Sequence, residues 1–315
     1  MTTSPGAAPD DALPTDDELV ELERLCIELA VTAGRFIRDE RPDRLGVAET
    51  KSTDTDVVTV MDRASEELLH RLIQQARPDD GILGEEGADV AGTSGLTWVI
   101  DPIDGTVNYL YDIPAYAVSV AVVVGDPSGQ GTWSPVAGAV ADPSLRLVHH
   151  ARRGGGAWTR GEGAADSGEE KSAARRLSVS TEARLSRSLL ATGFGYAPQT
   201  RARQVAVLQR VLPLVRDIRR IGSAALDLVR VAEGSVDAYA ETGLNSWDLA
   251  AGWLVVEEAG GRVIGVDGPG SRPGAALTVA SGPALLERVH ELFTSDPTDP
   301  TKTTETSETS EPTAS

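Results

Sequence analysis

One cysteine, Cys26, stands in 315 residues, which excludes an intrachain disulfide and a cysteine-built zinc site. It falls in the run Leu19, Leu22, Leu25, Cys26, Leu29, spaced as one face of an amphipathic helix, and reads as a core thiol. Aromatic residues are scarce at 4%, so the core must be largely aliphatic. The 40% hydrophobic content suffices for one large domain or two closely packed ones. Basic residues are in deficit, 29 against 48 acids, for a net charge of −19. Much of that charge lies at the ends. Residues 1–23 carry seven acids and no base, and residues 291–315 carry six acids and Lys302, so residues 24–290 carry only −7. No basic face for direct nucleic-acid binding is expected. A small anion held through bound cations remains compatible with this charge. No run approaches the roughly 20 apolar residues of a membrane span, and the acidic N-terminus has no signal-peptide pattern. A soluble cytoplasmic protein without membrane contact is therefore expected.

Along the chain, residues 1–15 and the Thr/Ser/Glu/Pro-rich segment 294–315 are expected to be disordered tails. Between them helical and strand-like runs alternate. Helices are expected over 16–39, 62–77, 200–211, 223–233, 247–259 and 283–293, with Gly234 and the Gly260-Gly261 pair as stops. Strands are expected at 81–83, 97–100, 117–124, 138–141, 145–150, 189–192, 217–221, 236–240, 263–264 and 277–280. Ala117–Val124 is nearly all apolar, as in a strand covered on both faces. Residues 160–175 read as an exposed loop. The pattern implies layered α and β structure.

The most informative segment is Trp98-Val-Ile-Asp101-Pro-Ile-Asp104-Gly-Thr106-Val-Asn108-Tyr109. An apolar strand runs into two aspartates three residues apart. Pro102 removes a backbone donor and interrupts regular pairing, and Gly105 permits a tight turn. Both carboxylates can then face one space, where two bare charges repel unless one protonates or a hard cation such as Mg²⁺ intervenes. Three further acid-bearing segments accompany this one. They are Ile82-Leu-Gly-Glu85-Glu86-Gly87, Asn245-Ser-Trp-Asp248-Leu-Ala250-Ala251-Gly252 running on to Glu257-Glu-Ala-Gly-Gly261, and Lys51-Ser-Thr-Asp54-Thr-Asp56-Val-Val-Thr-Val-Met-Asp62. Taken singly, Glu85 is a solvated acid and Asp248 a first-turn helix acid. The small residues Ala250, Ala251 and Gly252 allow their helix to approach other backbone closely.

Together these segments resemble the inositol monophosphatase family of lithium-sensitive, Mg²⁺-dependent phosphatases. The resemblance covers about residues 17–290, and Ile113–Ser119 and Arg219–Ala225 also fit it. It implies an α/β/α/β/α five-layer sandwich of the inositol monophosphatase and fructose-1,6-bisphosphatase type. The two halves would span 16–175 and 176–293, with the site at their junction, in a homodimer. It implies two or three Mg²⁺ ions held by Glu85, Asp101, the Ile103 carbonyl, Asp104 and Asp248, with Asp56 bearing on a weaker ion. Gly105 and Thr106 would donate to the phosphate from the turn and helix N-terminus. Thr106, with Asp62 accepting from its hydroxyl and Glu85 nearby, would orient the attacking water. Glu241 would accept from substrate hydroxyls, Gly222, Ser223 and Ala224 would line the pocket, and Arg219 would help order it.

The activity so implied is hydrolysis of a phosphorylated polyol, inositol 1-phosphate first. Fructose 1,6-bisphosphate, histidinol phosphate and 3′-phosphoadenosine 5′-phosphate are alternatives on the same site. A reading of another class is a regulatory protein that binds the transcription machinery. Gly154-Gly155-Gly156 lacks the Lys-Ser/Thr of a phosphate loop and reads as a turn. His149 and His150, adjacent on a strand, point to opposite faces and are not expected to share a metal. Trp133, Trp158 and Trp253 read as packing residues.

Overall fold

The computed structural model describes residues 13–43, 45–47, 49–51, 57–87, 89–128, 132–165 and 174–295. Most of both expected tails, Asp56, and residues 166–173 of the expected loop lie outside these. The first helix, α1 (Asp16–Asp39), starts where Thr15 accepts from the Glu18 amide and Asp16, Asp17 and Glu18 meet the positive end of the helix dipole. Its buried stripe includes Leu22, Cys26, Ala30 and Ile37. The short strands β1 (Glu49–Thr50) and β2 (Val57–Val58) pair antiparallel. They lead into α2 (Val60–Ala76), whose start is fixed by a reciprocal capping box between Thr59 and Asp62.

A seven-stranded sheet follows in chain order: β3 (Gly81–Gly84), β4 (Leu96–Asp104), β5 (Ala117–Gly125), β6 (Trp133–Asp142), β7 (Leu147–Arg152), β8 (Gly156–Gly161) and β9 (Arg175–Arg176). Only β3 and β4 run parallel. The short helix α3 (Thr106–Leu110) sits between β4 and β5. In the second half, β10 (Leu189–Ala191), α4 (Pro198–Val211), β11 (Asp217–Arg219), α5 (Ala224–Ala232), β12 (Ala238–Glu241), α6 (Ser246–Glu258), β13 (Arg262–Ile264), β14 (Thr278–Ser281) and α7 (Leu286–Thr294) complete the chain. Their five strands are ordered β11-β10-β12-β14-β13.

The layers follow from where each apolar face is buried. α1 and α2 cover one face of the large sheet, and α6, paired with α5, covers the other. α5 and α6 also touch the small sheet, whose far side carries α7, with α4 packed on α7. Three apolar cores fill the gaps. The result is the expected α/β/α/β/α sandwich. Strand β5 shows why its sequence lacks polar alternation: Val118, Val120 and Val122 face α1, whereas Ala117, Ala121 and Val123 face the central helices.

Two features position the site. The first is an irregularity in β4. Asp101 pairs with Ser119 and Asp104 with Ala117, so three steps on β4 match two on β5. Residues three apart on a regular strand point to opposite faces. The extra residue, inserted where Pro102 has no donor, brings both carboxylates to one side. The sequence reading ended this strand at Ile100, but the ladder resumes beyond the proline. The second is the close approach of α6 to the large sheet, where a Cβ on Gly138 would lie 3.0 Å from the Ala251 Cα. The small residues of α6 are used as expected.

Candidate active site

Asp101 and Asp104 converge from the β4 irregularity, and Asp248 meets them from the first turn of α6. Their carboxylate oxygens lie within 4.8 Å of one another. Each is fixed by a bond on its own side. Asp101 Oδ1 accepts from the Ile103 amide at 3.0 Å. Asp104 Oδ2 accepts from the Ser223 hydroxyl at 2.6 Å and the Ala225 amide at 2.7 Å. Asp248 Oδ2 accepts from the Asn245 amide at 2.6 Å, which also closes the start of α6. Glu85, just past the end of β3, faces the same space and is bonded by the Lys51 ammonium at 2.8 Å. Lys51 bridges on to Glu86 at 2.6 Å.

The electrostatics follow from burial and crowding of like charge. Burial pushes the Asp101 carboxyl well above the ordinary carboxylate range, and the charges of Glu85, Asp104 and Asp248 push it further. Asp248 is raised for the same two reasons. Burial also raises Asp104, although the Ser223 and Ala225 donors oppose it. Burial pushes Glu85 up to about 7, against the pull of Lys51. Four oxygen-bearing acids and one lysine leave an excess of negative charge in a buried space. Fixed carboxylates of this kind fit a hard divalent cation, which takes oxygen ligands and relieves the repulsion. Among the described residues Asp101, Asp104 and Asp248 form the one acidic group that is close enough to hold an ion.

The cavity around these acids has a volume of about 440 Å³, within the range of small-molecule sites. On one wall lie Gly105 and Thr106. The Thr106 hydroxyl has two acceptors in reach, Asp62 Oδ1 at 3.0 Å and the Ile103 carbonyl at 3.1 Å. Gly105 has φ +95°, and a Cβ there would fall 3.0 Å from the Gly222 carbonyl. Asn108 joins the two halves, donating from Nδ2 to the Ala115 and Ile221 carbonyls at 2.7 and 2.9 Å. Gly222, Ser223, Ala224 and Glu241 of the second half also line the cavity. Tyr239 donates to Glu241 Oε2 at 2.7 Å. Burial carries Glu241 to about 7, and the Asp104 charge adds to the shift.

The structure thus brings Asp62, Glu85, Asp101, Ile103, Asp104, Gly105, Thr106, Gly222, Ser223, Ala224, Glu241 and Asp248 to one place. Asp56 lies outside the described residues. Arg219 does not join them: it is exposed and paired with Asp217 at 2.6 Å. Neighbouring residues leaving a strand point to opposite sides, so Arg220 is the arginine that lines the cavity.

Three contributors were not read from the sequence. Asp227 lines the cavity one turn beyond Ser223, its Oδ1 without a hydrogen-bond partner. Burial pushes it up to about 9, helped by the charge of Glu241. Its place within the apolar face of α5 was the available signal. Gly193 leaves room for Glu241. Lys51 pairs with Glu85 and Glu86, a role its place in the sequence does not signal. His149 and His150 take opposite faces, the first 3.6 Å from Glu233 and the second 2.8 Å from Glu23. Trp133 and Trp253 are buried edge to face at 5.3 Å. Trp158 is half-buried, with Arg176 over its ring. Cys26 is a buried free thiol.

Comparison with known proteins agrees with this geometry. The profile of the inositol monophosphatase family matches residues 18–297. The chain is 43% identical over 288 residues to the inositol-1-monophosphatase of Mycobacterium bovis, covering 87% of this chain and 93% of that one. It is 35% identical over 268 residues to the Nus factor SuhB of Pasteurella multocida, covering 84% and 92%. The solved structure of Mycobacterium tuberculosis SuhB superimposes with a TM-score of 0.71 at 40% identity, covering 88% of this chain and 97% of that one. The chain belongs to the inositol monophosphatase family, a family of metal-dependent phosphoric monoester hydrolases.

Proposed function

We propose that this protein hydrolyses inositol 1-phosphate to inositol and phosphate in the presence of Mg²⁺. The observation that carries the reading is the convergence of Asp101, Asp104 and Asp248, with oxygens within 4.8 Å, beside the Gly105–Thr106 turn. Glu85, Asp101, the Ile103 carbonyl, Asp104 and Asp248 would hold two or three Mg²⁺ ions. Bound there, Mg²⁺ lowers the pKa of water and stabilises charge on the phosphoryl and leaving oxygens.

The chain's own groups do the rest. The Gly105 and Thr106 amides, at the cavity wall, would donate to the phosphate. With its proton given to Asp62, one of its two acceptors in reach, the Thr106 hydroxyl has lone pairs free to accept from a water and orient it for in-line attack. Glu85 supplies a second acceptor. Asp104 is held immobile by Ser223 and the Ala225 amide, so no reorganisation is needed as charge develops. Glu241, pinned by Tyr239, accepts from hydroxyls of the leaving polyol. Such prearranged charge must supply most of the acceleration, since phosphate monoesters hydrolyse extremely slowly unaided.

The relative named as a Nus factor supports a second, regulatory reading, to which the intact carboxylate set contributes nothing. The substrate claim is tested by ranking kcat/KM for inositol 1-phosphate, fructose 1,6-bisphosphate, histidinol phosphate and 3′-phosphoadenosine 5′-phosphate. Inositol 1-phosphate should rank first and Li⁺ should inhibit. If another ester leads, the choice of leaving alcohol is wrong while the metal centre stands.

A further inference from the structure

Helix α2 contributes no cavity wall, yet three of its buried polar side chains each hold a different segment of the site. Asp62 accepts from Thr106 at 3.0 Å. Ser65, nearly one turn on, donates to the carbonyl of Pro102, which stands between Asp101 and Ile103, at 3.3 Å. Glu66, one full turn beyond Asp62, accepts the Glu86 amide at 2.9 Å. Residues three and four apart share a helix face, so the three side chains reach the β3 and β4 ends together.

Glu66 is the charged member with no role in the reaction as proposed. It is 3% exposed, a burial that an acid rarely reaches without a structural or functional partner. Its carboxylate lies flat against Gly84, where a Cβ would fall 2.7 Å from Cδ, 2.7 Å from Oε2 and 2.8 Å from Oε1. A side chain at position 84 would therefore displace it. Gly84 and Glu86 flank Glu85 on both sides. Glu85 is the one acid of the centre without a backbone donor of its own among the described residues, and the Lys51 ammonium bonds it at 2.8 Å. Behind Glu66, His70 Nε2 stands 3.9 Å from Oε1, closing the other side of the carboxylate.

We infer that Glu66 is a positioning residue for the metal centre: by holding Gly84 and the Glu86 amide it fixes the backbone on either side of Glu85 and so sets the cation affinity. The inference rests on the metal reading above. Partners that orient a ligand in this way typically cost about 10–100-fold in metal affinity when removed.

Calorimetric titration of the full-length protein with Mg²⁺ tests it, using two substitutions that separate reach from charge. Glu66→Asp keeps the charge and withdraws the acceptor by one methylene. Glu66→Gln keeps an acceptor at the same reach and removes the charge. The expected result is Mg²⁺ binding weakened at least about tenfold in Glu66→Asp, with kcat at saturating Mg²⁺ within about threefold of the parent, and near-parental binding in Glu66→Gln. Parental Mg²⁺ affinity in both variants overturns the inference. So does a Glu66→Gln variant weakened as much as Glu66→Asp, because charge or general stability would then be the cause. Gly84→Ala, which displaces the carboxylate without altering it, should reproduce the Glu66→Asp isotherm, and parental affinity there also overturns it. If the parent protein itself takes up no Mg²⁺, the metal reading fails instead, so the two failures are distinct.

Discussion

Gly193 leaves no room for a side chain beside Glu241, since a Cβ there would fall 2.1 Å from Glu241 Oε2. Gly193→Ala should push that carboxylate out of place, and Glu241→Gln should remove its charge in place. A hydrogen bond to a charged group contributes about 1.5–3 kcal/mol, and about 1.4 kcal/mol is a factor of ten. Both variants should therefore raise KM for inositol 1-phosphate about tenfold, while kcat/KM for p-nitrophenyl phosphate stays within about threefold. Equal losses on the two esters would remove Glu241 from polyol recognition. His149 offers a second residue-scale test. It is fully buried, and among the described residues neither ring nitrogen has a hydrogen-bond partner. Glu233 at 3.6 Å is already engaged by Arg230 and Arg175. Burial holds His149 down to about 3. Between an ordinary histidine's 6.5 and that value the unfolded chain binds a proton that the folded one refuses, so acid destabilises the fold. His149→Leu should lose less urea resistance between pH 6.5 and 4 than the parent, and an unchanged slope would contradict this. The residues legible in the sequence were those concentrated in one motif, Asp101, Asp104 and Thr106. Asp227 and Glu66 were not, because an acid within a helix reads as solvated until the helix is seen to be buried. Arg219 was chosen over its neighbour Arg220, and the choice was wrong because Arg219 turns outward to Asp217 while Arg220 lines the cavity.

At the scale of elements, the site depends on one inserted residue in β4 and on how closely α6 lies against β6. The contact of Gly138 with Ala251 has no slack, with the nearest atom 3.0 Å from an added Cβ. Gly138→Ala should lower stability by about 1–3 kcal/mol, as other overpacked interiors do, read as a shifted urea midpoint with an unchanged m-value. A neutral result would mean that the layers can separate freely. The periodic helix α1, the helix α6 with its run of apolar residues from Leu249 to Val256, and the apolar strand β5 were legible because each buries what its pattern shows. β8 and β9 were missed. β8 is short and follows a Gly run, and β9 consists of two exposed arginines with no alternation to read. The Asp101–Asp104 convergence was legible only as a consequence of Pro102. That its form is a register shift, with the strand continuing to Asp104, needed the pairing partner on β5.

At the scale of the molecule, the five-layer sandwich concentrates acids where its two sheets meet the central helices. Burial carries Glu85 and Glu241 each to about 7 and also raises Asp101, Asp104 and Asp248. Ordinary carboxylates titrate near 4. Between that range and about 7 the folded protein holds protons that the unfolded chain has lost, so metal-free stability falls as pH rises through this window. A bound cation requires the ionised acids and offsets their repulsion. The rise in Tm produced by Mg²⁺ over EDTA should therefore be larger at pH 8 than at pH 5.5, and an equal or smaller rise would contradict the buried-acid account. The most direct measurement is Mg²⁺-dependent phosphate release from inositol 1-phosphate by Asp104→Asn. The substitution keeps the side chain's shape and removes one charge from the centre. Release should fall by at least about a hundredfold while the protein stays folded, and release at the parental rate would contradict the assignment of these carboxylates to catalysis.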